Sequence, residues 1–114
     1  MKIKQFEIWI ADLKPRRGTE TGNVRPVLVV QTDLLNRVHP FTLVCPITTN
    51  IQKKSEILRV NIKKETSNLK ESSDIMIDQL RAIDNRRFIN KIGDLPEALK
   101  IKVQKNIKIV LDIE

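Results

Sequence analysis

Three residues in the first half of the chain, Glu20, Arg25 and Thr48, are of types that could act together on a phosphate group. An arginine guanidinium donates two parallel, charge-assisted hydrogen bonds to a phosphate and does not lose its proton. A threonine hydroxyl can donate to an oxygen on which negative charge develops, and a glutamate can accept a proton or hold the arginine in place. Asp78 is a fourth residue of suitable type. From composition alone, simpler interpretations are favoured: an ion-pair partner for Arg25, a strand-end cap for Thr48 and a solvated loop charge for Glu20.

Two short apolar runs predict where the arginine and the threonine lie. Val27–Val30 follows Arg25 closely, and Leu43–Ile47 directly precedes Thr48. If the runs are neighbouring antiparallel strands, the start of one lies beside the end of the other, and the two side chains meet across the ladder. The segment before them, residues 14–24, contains Pro15, Gly18 and Gly22 and almost no apolar residue, which predicts a long loop that could supply Glu20.

The rest of the chain shows further strand patterns. Alternating or apolar runs predict strands at 6–13, 27–30, 41–47, 56–62, 74–80 and 81–92. Pro46 suggests that the third strand lies at an edge or carries a bulge near its end. In the first strand the alternation places Glu7 and Trp9 on the face opposite Phe6, Ile8 and Ile10. Three of the four aromatic residues are expected to face the core: Phe6, Trp9 and Phe41.

The end of the chain changes to a helical period. Asp94 is the predicted N-cap, and Glu97 is predicted to reach back in a capping box. The apolar stripe of this helix is Leu99, Val103, Ile107 and Val110. Ile101, Ile109 and Leu111 fall outside the stripe, which indicates either a partner subunit or a helix that is covered on all sides. Short strands followed by one amphipathic helix predict a small barrel or half-barrel with a helix over an opening.

Length and charge limit the function classes. The 114 residues predict one domain, 1–114, with a single core. The net charge of +7 favours nucleic acid or an acidic protein segment as a partner, although solubility alone could explain it. Neither a leader peptide nor a membrane span is indicated, so a cytoplasmic location is expected.

Several kinds of site are not indicated by the sequence. Cysteine and histidine occur once each, so no metal site is predicted, and Cys45 is expected to be a buried thiol. His39 stands beside Pro40 in a polar loop and is not a predicted catalytic residue. No glycine-rich phosphate loop precedes a helix, and no cofactor is predicted.

Four stretches carry a resemblance to a known family: EIWIADL at Glu7–Leu13, GTETGNVRPVLVVQ at Gly18–Gln31, PITT at Pro46–Thr49 and DQLRAIDNRR at Asp78–Arg87. Their order and spacing resemble the MazF/PemK-type toxins of bacterial toxin–antitoxin modules, over nearly the full length of the chain. Members of that family commonly begin the first strand with Gly-Asp, where this chain has Phe6-Glu7, and this departure concerns only local turn geometry.

The resemblance implies a mainly β fold with α: an SH3-like small β-barrel of the CcdB/PemK type with a C-terminal helix, forming a homodimer. It implies a metal-independent, sequence-specific endoribonuclease, an mRNA interferase that cleaves single-stranded RNA. In the family the substrate's own 2′-hydroxyl attacks the adjacent phosphate, leaving a 2′,3′-cyclic phosphate and a 5′-hydroxyl. The implied partner besides RNA is an acidic MazE-like antitoxin that neutralises the toxin.

By position, Arg25 and Thr48 match the catalytic residues of the MazF branch, and Glu20 matches a loop glutamate close to them. The implied substrate-binding residues are Thr19, Arg17, Gln79, Asp78 and Arg81. The PemK branch uses an aspartate at the position of Asp78 as its base, with an arginine two residues earlier where this chain has Met76. The general base therefore stays open between Glu20, Asp78 and other groups. The alternative function is a non-catalytic toxin on the same fold, such as a CcdB-like topoisomerase poison, or an RNA-binding barrel.

Overall fold

A single antiparallel sheet of seven strands organises the protein, and the strands follow the order β4-β5-β3-β2-β1-β7, with β6 paired to β3. The computed structural model describes residues 2–20 and 22–114. The strands are β1 Glu7–Asp12, β2 Val24–Val29, β3 Phe41–Thr48, β4 Arg59–Ile62, β5 Ser73–Met76, β6 Arg81–Asp84 and β7 Phe88–Asp94. The helices are the short α1, Asp33–Asn36, and α2, Glu97–Val110, and three 3₁₀ turns lie at Thr66–Asn68, Ile77–Gln79 and Asn85–Arg87. The predicted mainly β fold with a C-terminal helix is confirmed, although the sheet does not close into a complete barrel.

The strand β3 lies in the centre of the sheet and pairs with strands on both sides. On one side it pairs with β2. On the other side it pairs first with β6, over Phe41–Val44, and then with β5, at Ile47 and Thr48. Of the two alternatives predicted for Pro46, the edge strand is wrong, because β3 lies inside the sheet, and the bulge stays a prediction. This proline falls between the stretches that pair with β6 and β5, where a missing N–H removes no bond to either strand.

Both faces of the central strands are buried, which produces two apolar clusters. One cluster includes Ile8, Leu28 and Ile47, and α2 covers it through Val103. The other includes Trp9, Val27, Val29, Val44 and Phe88. Alternate residues of a strand point to opposite faces, so β1, β2 and β3 contribute to both clusters.

Both faces of β1 are buried, because Glu7 and Trp9 on one face are buried as well as Ile8 on the other. The indole Nε1 of Trp9 donates to Glu7 Oε1 at 3.0 Å, and Lys91 Nζ lies 2.9 Å from Glu7 Oε2. The buried carboxylate is thereby paired, as buried charges must be. Among the other aromatic residues, Phe6 packs against the core as expected, Phe88 is buried and Phe41 is 44% exposed, contrary to the prediction.

Three predicted boundaries differ from the structure. The strand predicted at 56–62 begins only at Arg59, because the preceding residues form a turn. The run 74–80 leaves the sheet after Met76 and continues as a 3₁₀ turn. The run 81–92 is two strands, separated by a 3₁₀ turn in which the N–H of Arg86 donates to the carboxylate of Asp84.

The start of α2 also differs from the prediction. The N-cap residue is Pro96, and Asp94 is the last residue of β7, with its carboxylate 3.2 Å from Lys91 Nζ. Glu97 does not form a capping box, because its Oε1 accepts from Lys100 Nζ at 2.6 Å.

The apolar stripe of α2 lies on the sheet as predicted, except at its end. Val103 is buried, Leu99 and Ile107 pack against the core, and Val110 is 39% exposed. Residues outside the stripe are exposed: Ile101, Ile109 and Leu111. The helix is therefore not covered on all sides within one chain. No helix in residues 2–20 and 22–114 has the length and apolar character needed to cross a membrane.

Candidate active site

Arg25 and Thr48 lie together at one margin of the sheet. Val27 is paired opposite Pro46, and Leu28 opposite Cys45. Continuing this register by two residues along each strand brings Arg25 opposite Thr48. Both side chains line one cavity of about 250 Å³. The antiparallel pairing that the sequence predicted therefore brings the guanidinium and the hydroxyl to the same place.

Eleven described residues line this cavity, which we call the arginine cavity: Arg16, Thr19, Glu20, Gly22, Asn23, Arg25, Thr48, Asn50, Arg59, Met76 and Gln79. They come from the loop between β1 and β2, the start of β2, the end of β3 with the turn after it, β4, β5 and the 3₁₀ turn after β5. Three of them are arginines and one is a carboxylate, so the cavity carries an excess of positive charge. Such a concave positive surface attracts a polyanion.

The guanidinium of Arg25 is held by its own loop. Its Nε donates to the carbonyl oxygen of Gly22 at 2.8 Å, and the side chain is half-buried. This bond uses Nε, whereas an end-on pair of bonds to a phosphate uses the two terminal nitrogens. Burial lowers the pKa of Arg25 from its ordinary value, and the positive charge of Arg16 lowers it further. An arginine nevertheless stays protonated in a protein, so the group remains a fixed cation.

The hydroxyl of Thr48 is oriented by the turn that follows β3. The N–H of Asn50 donates to Thr48 Oγ1 at 3.1 Å. This bond uses a lone pair of the oxygen and not its proton. The hydroxyl can therefore act as a donor toward the cavity while the turn fixes its position.

The loop between β1 and β2 is folded tightly at Gly22. A Cβ at this position would lie 2.5 Å from the Cβ of Arg16, which only glycine avoids. The Nε of Arg16 donates to the carbonyl oxygen of Glu20 at 3.1 Å. These two contacts bring the start and the end of the loop together and place Glu20 at the cavity, with an exposed side chain.

The base of the same loop is fastened to the sheet. Leu13 N donates to the carbonyl oxygen of Asn23 at 2.9 Å. Arg87 Nη1 donates to the carbonyl oxygens of Asp12 at 3.0 Å and of Lys14 at 2.5 Å. The loop that carries Glu20 therefore starts from a fixed position.

A second cavity of about 330 Å³ adjoins the first and shares Thr19, Glu20 and Gln79 with it. We call it the neighbouring cavity; its other lining residues are Asp78, Leu80 and Arg81. Of the predicted substrate-binding residues, Thr19 and Gln79 line both cavities, and Asp78 and Arg81 line only the neighbouring one. Arg17 lines neither of them and is exposed on the loop.

Cys45 lies in the core, as predicted, and is fully buried. Burial raises the pKa of its thiol to about 12, and the negative charge of Asp78 contributes to the increase. The neutral thiol is therefore the stable form in the folded protein. Among the described residues, no group of three or more His, Cys, Asp or Glu side chains could hold a metal ion.

The sequence did not single out Asn50 and Arg59 as site residues. Arg59 stands eleven positions after Thr48 in the chain, at the start of β4. It reaches the arginine cavity because β5 pairs with both β3 and β4. No local pattern indicates that pairing; the only local signal is a cation within the alternating run 56–62.

Comparisons with known proteins agree with this architecture. A family model described as "PemK-like, MazF-like toxin of type II toxin-antitoxin system" matches residues 4–111. The chain is similar to the endoribonuclease EndoA of Bacillus subtilis, with 38% identity over 111 residues, covering 97% of this chain and 96% of that protein. It is also similar to the endoribonuclease MazF of Staphylococcus epidermidis, with 34% identity over 111 residues, covering 97% and 92%.

Solved structures of MazF from Deinococcus radiodurans share the fold. The toxin by itself superposes with a TM-score of 0.85 at 21% identity, covering 99% of each chain. A MazE–MazF structure from the same organism gives a TM-score of 0.80 at 20% identity, covering 100% of this chain and 99% of that one. With the family model matched from residue 4 to residue 111, the chain belongs to the family of PemK-like, MazF-like toxins of type II toxin–antitoxin systems.

Proposed function

We propose that this chain, acting as one domain over residues 1–114, is an endoribonuclease that cleaves single-stranded RNA at specific sequences. The observation that carries the proposal is the arginine cavity, a space of about 250 Å³ that Arg25 and Thr48 both line. Two relatives that share more than a third of their residues with this chain are named endoribonucleases. The toxic effect is then the cutting of messenger RNA in the cytoplasm.

The proposed reaction is an internal transfer. The 2′-hydroxyl of the substrate gives up its proton to a base, and its oxygen attacks the adjacent phosphorus. The bond to the 5′-oxygen of the next nucleotide breaks, and that oxygen takes up a proton from water, directly or through the Thr48 hydroxyl. The products are a 2′,3′-cyclic phosphate and a 5′-hydroxyl. Because RNA supplies its own nucleophile, this route does not require a metal-activated water, and DNA is not a substrate.

Arg25 is the proposed electrostatic catalyst. Its terminal nitrogens bind the non-bridging oxygens of the phosphate and stabilise the charge that grows there in the transition state. Thr48 donates a hydrogen bond to the same group or to the leaving 5′-oxygen. Both roles require groups that are oriented before substrate arrives, which the bonds from Arg25 to Gly22 and from Asn50 to Thr48 provide.

Glu20 is the proposed acceptor of the 2′ proton. A charged arginine has no lone pair to offer, so the base must be another group. Glu20 lines the arginine cavity, whereas Asp78 lines only the neighbouring cavity. Glu20 is therefore preferred over Asp78, because it borders the space that Arg25 and Thr48 also line.

The neighbouring cavity is the proposed site for a base next to the scissile phosphate. Thr19 and Gln79 lie between the two cavities, and Asp78 and Arg81 line the far side. These side chains offer donors and acceptors to base edges, and no aromatic side chain is among the described residues that line this space. Sequence is then read here by hydrogen bonds more than by stacking. Arg17, exposed on the loop, is proposed to contact the RNA backbone.

We also propose that the chain is a homodimer and that an acidic MazE-like antitoxin neutralises it. Apolar side chains on two surfaces are exposed in the single chain, with Leu34 at 87%, Val38 at 78% and Ile101 at 72%. Contiguous exposed apolar patches mark interaction sites, and we propose that these side chains belong to such patches. The net charge of +7 and the three arginines of the cavity would attract an acidic segment to the surface that RNA uses.

The test is incubation of the purified protein with a long single-stranded RNA in EDTA, beside a DNA of the same sequence. We expect discrete RNA fragments whose 5′ ends can be phosphorylated directly by a kinase, and intact DNA. Arg25→Ala should abolish cleavage, and Arg86→Gln should not, because Arg86 is 91% exposed and pairs with Asp84 outside both cavities. If the folded wild-type protein leaves the RNA intact, the proposed endoribonuclease function is wrong and a non-catalytic toxin is favoured.

A further inference from the structure

A buried ion pair lies directly behind Thr48, and the proposed reaction does not use it. Thr48 is paired opposite Asp74 in the ladder between β3 and β5. The side chain of Asp74 is 2% exposed, and Arg59 Nη1 lies 3.4 Å from its Oδ2. Arg59 is 17% exposed and lines the arginine cavity. One end of this pair is therefore in the core of the sheet and the other is at the site.

The carboxylate of Asp74 has further partners that fix it. Its Oδ2 accepts from the backbone N–H of Gln52 at 2.8 Å, and its Oδ1 accepts from Asn61 Nδ2 at 3.1 Å. With Arg59, these donors satisfy a charge that would otherwise be costly to bury. Asp74 therefore serves as a rigid anchor for groups on two different segments.

Arg59 connects this anchor to the turn that carries the reactive hydroxyl. Its Nη1 donates to the carbonyl oxygen of Asn50 at 3.1 Å while it faces Asp74. The N–H of the same Asn50 donates to Thr48 Oγ1. The turn after β3 is thus tied at three points: the Thr48 hydroxyl, the Asn50 carbonyl and the Gln52 N–H.

This arrangement contributes more to the position of the reactive hydroxyl than to the stability of the fold. A buried ion pair is often close to neutral for stability, because desolvation offsets the attraction. A reactive group, by contrast, must be placed within a fraction of an ångström, and a displacement of about 1 Å can lower a rate by about 10²-fold. The Asn50 carbonyl is two residues from Thr48 and is held by a side chain that is itself held on Asp74. Loosening of the pair would release the Asn50 carbonyl and so remove one restraint on the turn that orients the Thr48 hydroxyl.

We propose that Arg59, seated on Asp74, is a positioning residue for RNA cleavage that acts by holding the Thr48–Asn50 turn against the arginine cavity. The inference rests on the proposed function, because it assigns a role in that same reaction. Arg59 also faces the cavity, so direct contact with an RNA phosphate is the rival explanation. The two differ in which measured quantity changes.

The experiment is single-turnover cleavage of one long RNA, followed at its fastest site while the enzyme concentration and the salt concentration are varied. For Arg59→Gln we expect a maximal rate about 10- to 100-fold lower. The half-saturating enzyme concentration should change by less than about twofold, and its salt dependence should be unchanged. A direct phosphate contact would instead weaken binding and reduce the slope of log affinity against log salt by about 0.7, as expected for a single strand. That result would overturn the proposal.

Two further variants show whether Arg59 acts through Thr48. In a Thr48→Ala background, Arg59→Gln should produce no additional loss, because the hydroxyl it positions is gone; additive losses would overturn the proposal. Arg59→Lys keeps a positive charge near Asp74, but its terminal nitrogen ends one bond short of the position of Nη1, which holds both Asp74 and the Asn50 carbonyl. It should therefore lower the maximal rate as Arg59→Gln does, and it serves in place of Arg59→Gln if that variant does not fold. Full activity of Arg59→Lys would show that only the positive charge matters, and it would overturn the proposal that Arg59 positions the Thr48–Asn50 turn.

The matched control is Arg86→Gln, which breaks the exposed Arg86–Asp84 pair of 2.9 Å and should leave the kinetics unchanged. Failure of the proposed function is separate from failure of this inference. If the wild-type protein cleaves no RNA, both are wrong. If it cleaves RNA and the Arg59 variants change only binding, or add to Thr48→Ala, this inference alone is wrong.

Discussion

Replacing Arg25 by lysine keeps one positive charge at the site and removes the planar fork. The guanidinium is oriented by its Nε bond to Gly22 O, at 2.8 Å, so its terminal nitrogens approach a phosphate from a fixed direction. Lysine lacks both this bond and the paired donors. Loss of one pre-oriented donor to a developing oxyanion lowers kcat by about 10²- to 10³-fold, or about 2.7–4 kcal/mol. We therefore expect Arg25→Lys to cleave RNA about 10²- to 10³-fold more slowly than wild type.

The same substitution should have a small effect on stability. The bond from Nε to Gly22 O is charge-assisted, but the side chain is only half-buried, so its net contribution is about 1 kcal/mol. For a domain of this size that corresponds to a decrease in Tm of about 4 °C. A thermal melt beside the single-turnover cleavage assay then separates misfolding from loss of chemistry.

Two results would refute this reasoning. If Arg25→Lys cleaves within about threefold of the wild-type rate, the fork is unimportant and only the charge matters. If Arg25→Lys and Arg25→Ala both retain the wild-type rate while remaining folded, the guanidinium takes no part in the reaction.

Three further predictions concern other parts of the molecule. Thr48→Val preserves the shape of the side chain and removes the hydroxyl, so the cleavage rate should fall by about 10²-fold with an unchanged melt, measured in the same assay. Gly93→Ala places a Cβ 2.6 Å from the carbonyl oxygen of Ser67, so denaturant unfolding should show a loss of about 1–3 kcal/mol; an unchanged midpoint would contradict the predicted clash. The pKa of Cys45 is raised from 9.0 to about 12, so its thiol should resist alkylation at pH 8 until the protein unfolds. Because the unfolded thiol ionises from about pH 9 and the folded thiol only near pH 12, the free energy of unfolding should fall with rising pH in that interval relative to a Cys45→Ala variant.

Much of the fold and part of the site were readable from local patterns. The apolar runs around Leu28 and Val44 are buried strands, and the proline after Arg25 begins an extended segment at the sheet margin. Because the pairing of those two runs sets a register, the approach of Arg25 to Thr48 followed from sequence spacing alone. Errors arose where a local pattern competed with the tertiary structure: Asp94 is a strand residue paired with Lys91 and not a helix cap.

The amino-acid sequence by itself determined the residue types at the site, the positive charge, the main strands and the family. Only the tertiary structure decided which distant residues support that site. Arg59 and Asp74 become neighbours of Thr48 because β5 inserts between β3 and β4, and no local preference encodes that order of strands. Burial of both faces of β1 has the same origin, because whether a polar residue such as Glu7 faces solvent depends on what packs over it. Long-range strand order, and with it the contacts behind a reactive group, is a property of the folded chain as a whole.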